Sequence, residues 1–482
     1  MNFKVSALTG LSLLATLVVQ AQTNTSVVSQ TGNSQSASAT QRGSYNESTI
    51  RQLTGTSTTP NAGNTATTSQ TGNGSSSQSN RAVIDQLNGS FNNTGNISQR
   101  GGSGNGASIE QNGNASFLSG GTGANQGNQA SISQIGSDNQ NVTIRQNAGT
   151  LGRSQSNSAT IAQTGNSMNG AGASTVGGTS IDQNNLSISN QATISQGAGG
   201  AGATLNTAVV VQSNSSGFHK ANITQENSGN TASIFQTDQA SSNEATVTQL
   251  GTGSTAQVAQ ASQSSSNKAT VTQAATAQGS SFASVDQSSS SYYNRATVEQ
   301  AGVGDAALIT QSVKSAGNDA FIKQGVGGNN NGAAITQTNT YNGFSAAYGS
   351  GNSATITQNQ TTNGTMGNAA AITQGSFDPS PATGTVVLST GNTAGIAQEN
   401  DLNMANLIQV GTGNKGTVTQ NGNSTLKGVD TGMTVNDTAG QFGTNNTLTV
   451  TQSGSLTNPN IGNVSQIGTG NVSTIMQAVP TP

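Results

Sequence analysis

Gln398-Glu399-Asn400-Asp401-Leu402-Asn403-Met404-Ala405-Asn406-Leu407-Ile408-Gln409 runs straight into Gln409-Val410-Gly411-Thr412-Gly413-Asn414-Lys415-Gly416-Thr417-Val418-Thr419-Gln420. Both follow one frame, Gln-x-Gly-x-x-Asn-x-Ala-x-Ile/Val-x-Gln, with small departures. Gln225 to Gln236, Gln249 to Gln260, Gln300 to Gln311 and Gln466 to Gln477 are further copies. The half Asn-x-Ala-x-Ile/Val-x-Gln recurs about thirty times between Asn24 and Gln477. Copies mostly lie 11 or 13 residues apart, so two make a repeat of about 24. Self-similarity at a fixed period is the signature of an architecture stacked along one axis.

Within each half-unit the marked residues alternate, which is the period of a strand with one face buried. In Asn243-Glu244-Ala245-Thr246-Val247-Thr248-Gln249, the Asn, Ala, Val and Gln share one face and Glu244, Thr246 and Thr248 the other. Arg51, Asp85, Glu110, Asp182, Lys268, Asp286, Arg295, Glu299 and Lys323 all fall on the outward set, as a solvated face requires. Between strands, Gly32, Gly43, Gly136, Gly165, Gly251, Gly302, Gly411 and Gly468 follow Gln by two residues, where a tight reversal favours positive φ. Pro60, Pro379, Pro381, Pro459, Pro480 and Pro482 all lie outside these strands, consistent with proline's inability to donate to a ladder.

Composition explains why such strands must stack. Apolar residues make up 30% and charged residues 6% of the 482, with no Trp, ten Phe and five Tyr, against about 45–50% and 25% in ordinary domains. Counting gives 58 Asn and 46 Gln. A conventional core is excluded, and the net charge of −3 offers little repulsion to keep a disordered chain soluble. The sequence therefore predicts an all-β fold, a β-solenoid of stacked strand–turn–strand coils with a narrow interior of small and amide side chains. Layers about 4.8 Å apart set Gln over Gln and Asn over Asn. An inward amide left unpartnered would cost about 1–3 kcal/mol, so these columns are the expected structural site. Its members include Gln41, Asn46, Gln52, Gln225, Asn230, Gln236, Asn243, Gln249, Gln260, Gln300, Gln311, Asn403, Gln409, Asn414, Gln420, Gln466, Asn471 and Gln477.

The organisation along the chain is simple. Lys4, the apolar run Leu8 to Val19, and Val19-Gln20-Ala21 before Gln22 read as a secretory signal peptide over residues 1–21. Residues 22–482 form the repeat array, with insertions expected near 112–127, 375–391 and 421–445. No later segment is apolar enough to cross a membrane as a helix. The near-neutral charge gives no footprint for nucleic acid, and the absence of Cys excludes disulfides and thiolate chemistry.

The repeat resembles that of curlin, the major subunit of curli fibres, and of its nucleating relative. That family's unit is Ser-x5-Gln-x-Gly-x-x-Asn-x-Ala-x3-Gln, and its latter part is met by Gln41, Gly43, Asn46 and Gln52 and by Gln409, Gly411, Asn414 and Gln420. The likeness covers nearly all of residues 22–482, although the Ser position is filled irregularly. It implies secretion through an outer-membrane apparatus, polymerisation of the chain with itself into an extracellular cross-β amyloid, a nucleating partner subunit, and a role in biofilm matrix and cell adhesion.

Nothing in the sequence builds a catalytic or cofactor site, so neither an enzyme nor a bound cofactor is expected. His219 is the only histidine and takes the Asn place of His219-Lys220-Ala221-Asn222-Ile223-Thr224-Gln225, as a substituted column residue. One His without Cys or a local acidic cluster cannot complete a metal site. The acidic residues follow the outward register rather than pairing for acid–base work, and Gly197–Gly202 lacks the Lys-Ser/Thr of a phosphate loop. Phe235, Phe282 and Phe321 are outward. Two alternatives keep the solenoid and change its use. One is an adhesin that does not polymerise. The other is an ice-binding face, suggested by the outward pairs Thr246/Thr248, Thr270/Thr272, Thr355/Thr357, Thr417/Thr419 and Thr449/Thr451.

Overall fold

A computed structural model describes residues 23–31, 34–53, 63–73, 79–87, 92–112, 127–136, 141–147, 155–164, 178–184, 188–197, 206–214, 216–274, 280–312, 314–325, 330–338, 349–359, 367–375, 389–427, 439–454 and 459–478. Among them every regular element is a strand. The chain divides into two compact units, Met1–Thr207 and Ala208–Pro482. The expected signal peptide, 1–21, lies outside the described residues, as do most of the expected insertions 112–127 and 375–391.

In the first unit, Thr25–Thr31, Asn46–Leu53, Asn80–Gln86, Gly106–Glu110, Asn141–Arg145 and Thr179–Asp182 make one parallel sheet. The half-units between them, from Ser36–Ser44 to Gln191–Gln196, make a second. The second unit repeats the plan. Successive half-units alternate between a sheet containing Thr231–Phe235 and Thr255–Ala259 and one containing Lys220–Gln225 and Glu244–Gln249. Each coil thus contributes one strand to each of two sheets, which is a β-solenoid.

The register is that of the motif. Ala221, Ala245, Ala269, Ala296, Ala320 and Ala354 stand over one another, and so do Ile223, Val247, Val271, Val298, Ile322 and Ile356. A one-residue slip would turn every buried side chain to solvent, so the period-2 pattern fixes the pairing. Ile223, Val247, Val271 and Ile322 are no more than 1% exposed, and burying a side chain of that size contributes about 1.5–3 kcal/mol.

Two glycines show why the eighth place of the frame is small. A Cβ on Gly95 would stand 3.0 Å from Ile84 Cγ2, and one on Gly416 2.6 Å from Leu407 Cδ2. The alanine place of one sheet therefore meets the Ile/Val place of the other. Where Leu407 replaces the shorter β-branched residue, glycine at 416 makes the room.

The stretch 421–445 is not a simple insertion. Ser424–Lys427 pairs with the front of Met404–Thr412 through Thr425 and Leu426, and Ala439–Thr444 pairs with its rear from Leu407 onwards. The two pieces are one half-unit cut between its alanine and Ile/Val places by residues 428–438. The cut hid the layer from the motif, and its sizes are exchanged: Leu426 fills the small place and Ala439 the large one, both fully buried. Asn460–Asn463 and Ser465–Thr469 continue the column beyond it.

The turns differ in detail from expectation. Gly43, Gly136, Gly411 and Gly468 have positive φ, but in the turns Gln249–Gly253 and Gln300–Gly304 it is Gly253 and Gly304, not Gly251 and Gly302, that adopt it. The Gly251 carbonyl instead accepts the Asn230 side-chain amide at 2.8 Å. Gly32 and Gly165 lie outside the described residues, and so do all the prolines except Pro459, which precedes Asn460–Asn463.

Deleting 428–438 joins Lys427 to Ala439 and restores the ordinary half-unit spacing from Ser424 to Gln441. Relieving that loop should raise stability by up to about 2 kcal/mol, read as a denaturant midpoint by circular dichroism. Removing 424–441 instead should lower it, since Gln409 and Gln466 then lose the Gln441 they share, at about 1–3 kcal/mol for each orphaned amide.

Candidate assembly site: the amide columns and terminal strand edges

Each inward glutamine closes a strand and points across the interior. Gln249 is representative. Its Oε1 accepts from Gln225 Nε2 at 2.8 Å, and its own Nε2 donates to Gln273 Oε1 at 2.8 Å. The second N–H is shared between Thr231 O at 3.0 Å and Ser254 O at 2.9 Å, which ties the column to the opposite sheet. A fully buried carboxamide is thereby satisfied at both ends.

The same bond repeats in one direction throughout. In the first unit Gln30 Nε2 donates to Gln52, Gln52 to Gln86, Gln86 to Gln111 and Gln111 to Gln146, while Gln41 opens the second column by donating to Gln70. In the second unit Gln225, Gln249, Gln300, Gln420 and Gln477 share one column. Gln236, Gln260, Gln311, Gln409 and Gln466 share the other. Every donor is the earlier layer and every acceptor the later one.

The asparagines work differently from the amide-over-amide stack expected. Asn243 Oδ1 accepts the backbone N–H of Asn267 at 2.9 Å, Asn230 Oδ1 that of Ser254 at 3.0 Å, Asn403 Oδ1 that of Ser424 at 3.3 Å, and Asn414 Oδ1 that of Asn446 at 3.0 Å. Asn471 N–H closes this series on Asn446 Oδ1 at 3.0 Å. Their Nδ2 groups turn to the loops, as Asn46 does to the Arg42 and Gly72 carbonyls and Asn414 to those of Val410 and Gly443. Amide-to-amide bonds remain at Asn80 with Asn46 and at Asn403 with Asn368, each at 3.2 Å. The shorter side chain at a strand's first residue reaches the turns of its own and of the next layer more readily than the next amide. A serine three residues before the asparagine completes several of these turns. Ser264 Oγ accepts from Asn243 Nδ2 at 2.9 Å, and Ser291 and Ser315 accept from Asn267 and Asn294 at 2.8 Å. The Ser-x-x-Asn spacing at Ser264–Asn267, Ser291–Asn294 and Ser315–Asn318 is the signal that could have found them.

Two titratable residues sit in the asparagine columns. His219 Nδ1 accepts the Asn243 N–H at 3.1 Å, and Nε2 lies 3.1 Å from the Ala240 carbonyl, the contacts an asparagine would make. Burial holds its pKa down to about 4 against the two backbone bonds. Among the described residues Asp305 is the exception to the outward rule for charges, though counting five from Gln300 places it inward. Its Oδ1 accepts from Asn331 N–H and its Oδ2 from Gly302 N–H, both at 3.1 Å. Burial pushes its pKa up to about 6, partly offset by those donors. Asp182 lies on the outward column, yet burial raises its pKa, with Arg145 opposing the shift.

The outward face is less regular. Phe235 and Phe282 are exposed and Phe321 is half-buried. The Thr-x-Thr pairs stack over two successive layers, at Thr246/Thr248 on Thr270/Thr272 and at Thr417/Thr419 on Thr449/Thr451, before Glu299, Gly395, Ala397 or Met476 interrupts. Among the described residues no group of three or more His, Asp or Glu gathers as metal ligands, and no helix is long and apolar enough to cross a membrane.

These columns define the class of each unit: a parallel β-solenoid whose buried polar interior runs along its own stacking axis. Compared with known families and with curated proteins, the sequence matches neither a family model nor an individual relative.

Replacing Gln249 and Gln260 by Leu orphans amides in the layers on either side, at about 1–3 kcal/mol each, with branched bulk adding to the cost. Thr246→Ser with Thr248→Ser should stay within about 0.5 kcal/mol. Denaturant midpoints of the two double variants test the assigned faces.

The two buried titratable groups should act in opposite senses between pH 7 and 4. Neutral His219 stabilises fully above 6.5 and loses that contribution as pH falls toward about 4. Asp305 penalises folding above about 6 and is relieved as pH falls toward 3.8. Each effect is roughly 3 kcal/mol at full extent. Relative to the parent, His219→Asn should gain stability on acidification from pH 7 to 4. Asp305→Asn should be the more stable chain at pH 7 and lose that advantage at pH 4. Paired denaturation curves at the two pH values read both.

Proposed function

We propose that the chain is a secreted structural subunit that polymerises end to end into an extracellular amyloid-type fibre of the curli kind, supporting biofilm matrix and cell adhesion, and that it is not an enzyme. One observation carries this reading: the two ends of the amide columns are complementary. Gln30 and Gln41 present Oε1 acceptors in the first layer, and Gln466 and Gln477 present Nε2 donors in the last. The strand edges agree with them. Among the described residues Thr25–Thr31 pairs only with the later Asn46–Leu53, and Val472–Ala478 only with the earlier Thr447–Ser453. Val472 and Met476 are 74% and 79% exposed there. An open edge carrying unpaired N–H and C=O groups is a template for another strand, and a second copy offers the matching one. Export through an outer-membrane apparatus and a nucleating partner belong to this reading through the curlin resemblance. The short Thr runs give no extended regular array, which weighs against ice binding.

Purified chain should form fibres that bind thioflavin and give a meridional reflection near ~4.7 Å. Persistent monomer at high concentration overturns the proposal. Thr474→Pro examines the contact itself. Outward positions send their N–H toward the later layer, as Thr447 does to Asn471 O, so Thr474 directs its N–H to the open edge. Proline there removes a bond only to an incoming copy. Elongation should slow about tenfold or more, since the orphaned partner costs about 1–3 kcal/mol, while the monomer's circular dichroism stays that of the parent.

A further inference from the structure

Stacking in register turns scattered outward charges into columns. In the first unit, the residue before the glutamine is Arg51, Asp85, Glu110 and Arg145 in four successive layers. In the second unit, the residue after the asparagine is Glu244, Lys268, Arg295 and Asp319 in four successive layers. The first column reads plus, minus, minus, plus. The second reads minus, plus, plus, minus. Each is the sign-inverted copy of the other, layer for layer.

Both columns contain a neighbouring pair that should repel. Asp85 lies beside Glu110, and Lys268 beside Arg295, one layer apart at about 4.8 Å, and like charges directly opposite on neighbouring strands are destabilising. The outer members soften this only in part. Arg51 pairs with Asp85, Arg145 approaches Glu110 at 3.6 Å, and Lys268 approaches Glu244 at 3.4 Å. The basic groups are the more accessible: the side chains of Arg51, Arg145 and Lys268 are 52%, 54% and 52% exposed, those of Glu110 and Glu244 36% and 37%, and that of Asp85, held by Arg51, 16%. A doublet of acids flanked by arginines on one flat face, and a doublet of bases flanked by acids on another, satisfy each other at the same layer spacing.

We infer that these two faces dock between copies. The Arg51–Asp85–Glu110–Arg145 column of one chain lies against the Glu244–Lys268–Arg295–Asp319 column of a second copy, with four ion pairs in register. The contact is lateral, made through sheet faces, and is distinct from the end-to-end contact through strand edges. Each column runs one charged layer further, to Asp182 on Arg145 and to Lys220 on Glu244, so a second copy running antiparallel to the first adds a fifth ion pair, Asp182 with Lys220. Side-by-side bundling of fibres is the consequence, and to that extent the inference rests on the fibre reading.

Two full-length variants and their mixture test it. Asp85→Lys with Glu110→Lys makes the first quartet wholly positive, and Lys268→Glu with Arg295→Glu makes the second quartet wholly negative, with Asp182 and Lys220 beyond them unchanged. Each variant alone should form thioflavin-positive fibres that bundle at least several-fold less than the parent, by electron microscopy and low-speed sedimentation. Mixed fibres of the two variants should bundle again, because the all-positive quartet of one meets the all-negative quartet of the other. Parent bundles should loosen at about 1 M salt, where screening acts within about 3 Å. Cross-β fibres of equal bundle width in all samples, or a mixture no better than its components, overturn the lateral contact while leaving the fibre reading intact. If the parent forms no fibres, that reading fails by itself. Sedimentation equilibrium of the soluble chains then decides the contact: a salt-sensitive dimer lost in each variant and regained on mixing supports it, and a monomer throughout overturns it.

Discussion

A buried glutamine amide has two donors and an acceptor to satisfy and no water to turn to. In this chain that requirement governs nearly everything else. The only partner available at the right height is the same glutamine one layer away, with a backbone carbonyl of the facing sheet for the remaining N–H. Meeting it forces neighbouring strands to be parallel and in register, and it forces the motif to recur at a spacing that returns the chain to the same column. The alternation of inward and outward residues then follows from strand geometry. Large apolar side chains are scarce because the interior is too narrow to need them.

The narrowness has its own discipline. Alanine on one sheet faces isoleucine or valine on the other, and departures are compensated locally, as with Leu407 and Gly416 or the exchanged sizes of Leu426 and Ala439. A layer tolerates a change of composition when the summed volume is kept. It tolerates the interruption at 428–438 because the chain leaves the strand after an outward residue and returns at an inward one, with the pairing on each side undisturbed.

Much of this was legible in the sequence because a period of two, repeated in every half-unit, leaves no freedom about which residues face inward. The glutamine columns were legible for the same reason. What escaped reading was decided by hydrogen bonds rather than by pattern. Asparagine and glutamine look equivalent as carboxamides, yet one methylene of reach sends the Asn414 Nδ2 to turn carbonyls, at Val410 and Gly443, and the Gln409 Nε2 to the next glutamine. Asp305 was overlooked because charge suggests solvent, whereas its position in the frame puts it inside, where two backbone N–H groups receive it. The layer at Ser424–Gln441 was missed because its residues are adjacent in space and not in sequence.

The one-way sense of the glutamine bonds has a further consequence. Amide dipoles that point the same way add, as peptide dipoles do along a helix, and hydrogen-bonded chains of them polarise one another. In the second unit both columns point their N–H ends toward the layer of Gln466 and Gln477, so that end carries a partial positive charge. In the first unit the layer of Gln30 and Gln41 presents carbonyl oxygens and carries a partial negative one. The backbone of a parallel sheet contributes little net dipole to oppose this. The side chains therefore give each unit of an almost uncharged protein its own electrostatic direction, and the two ends of a unit are chemically different places for any ion that approaches them.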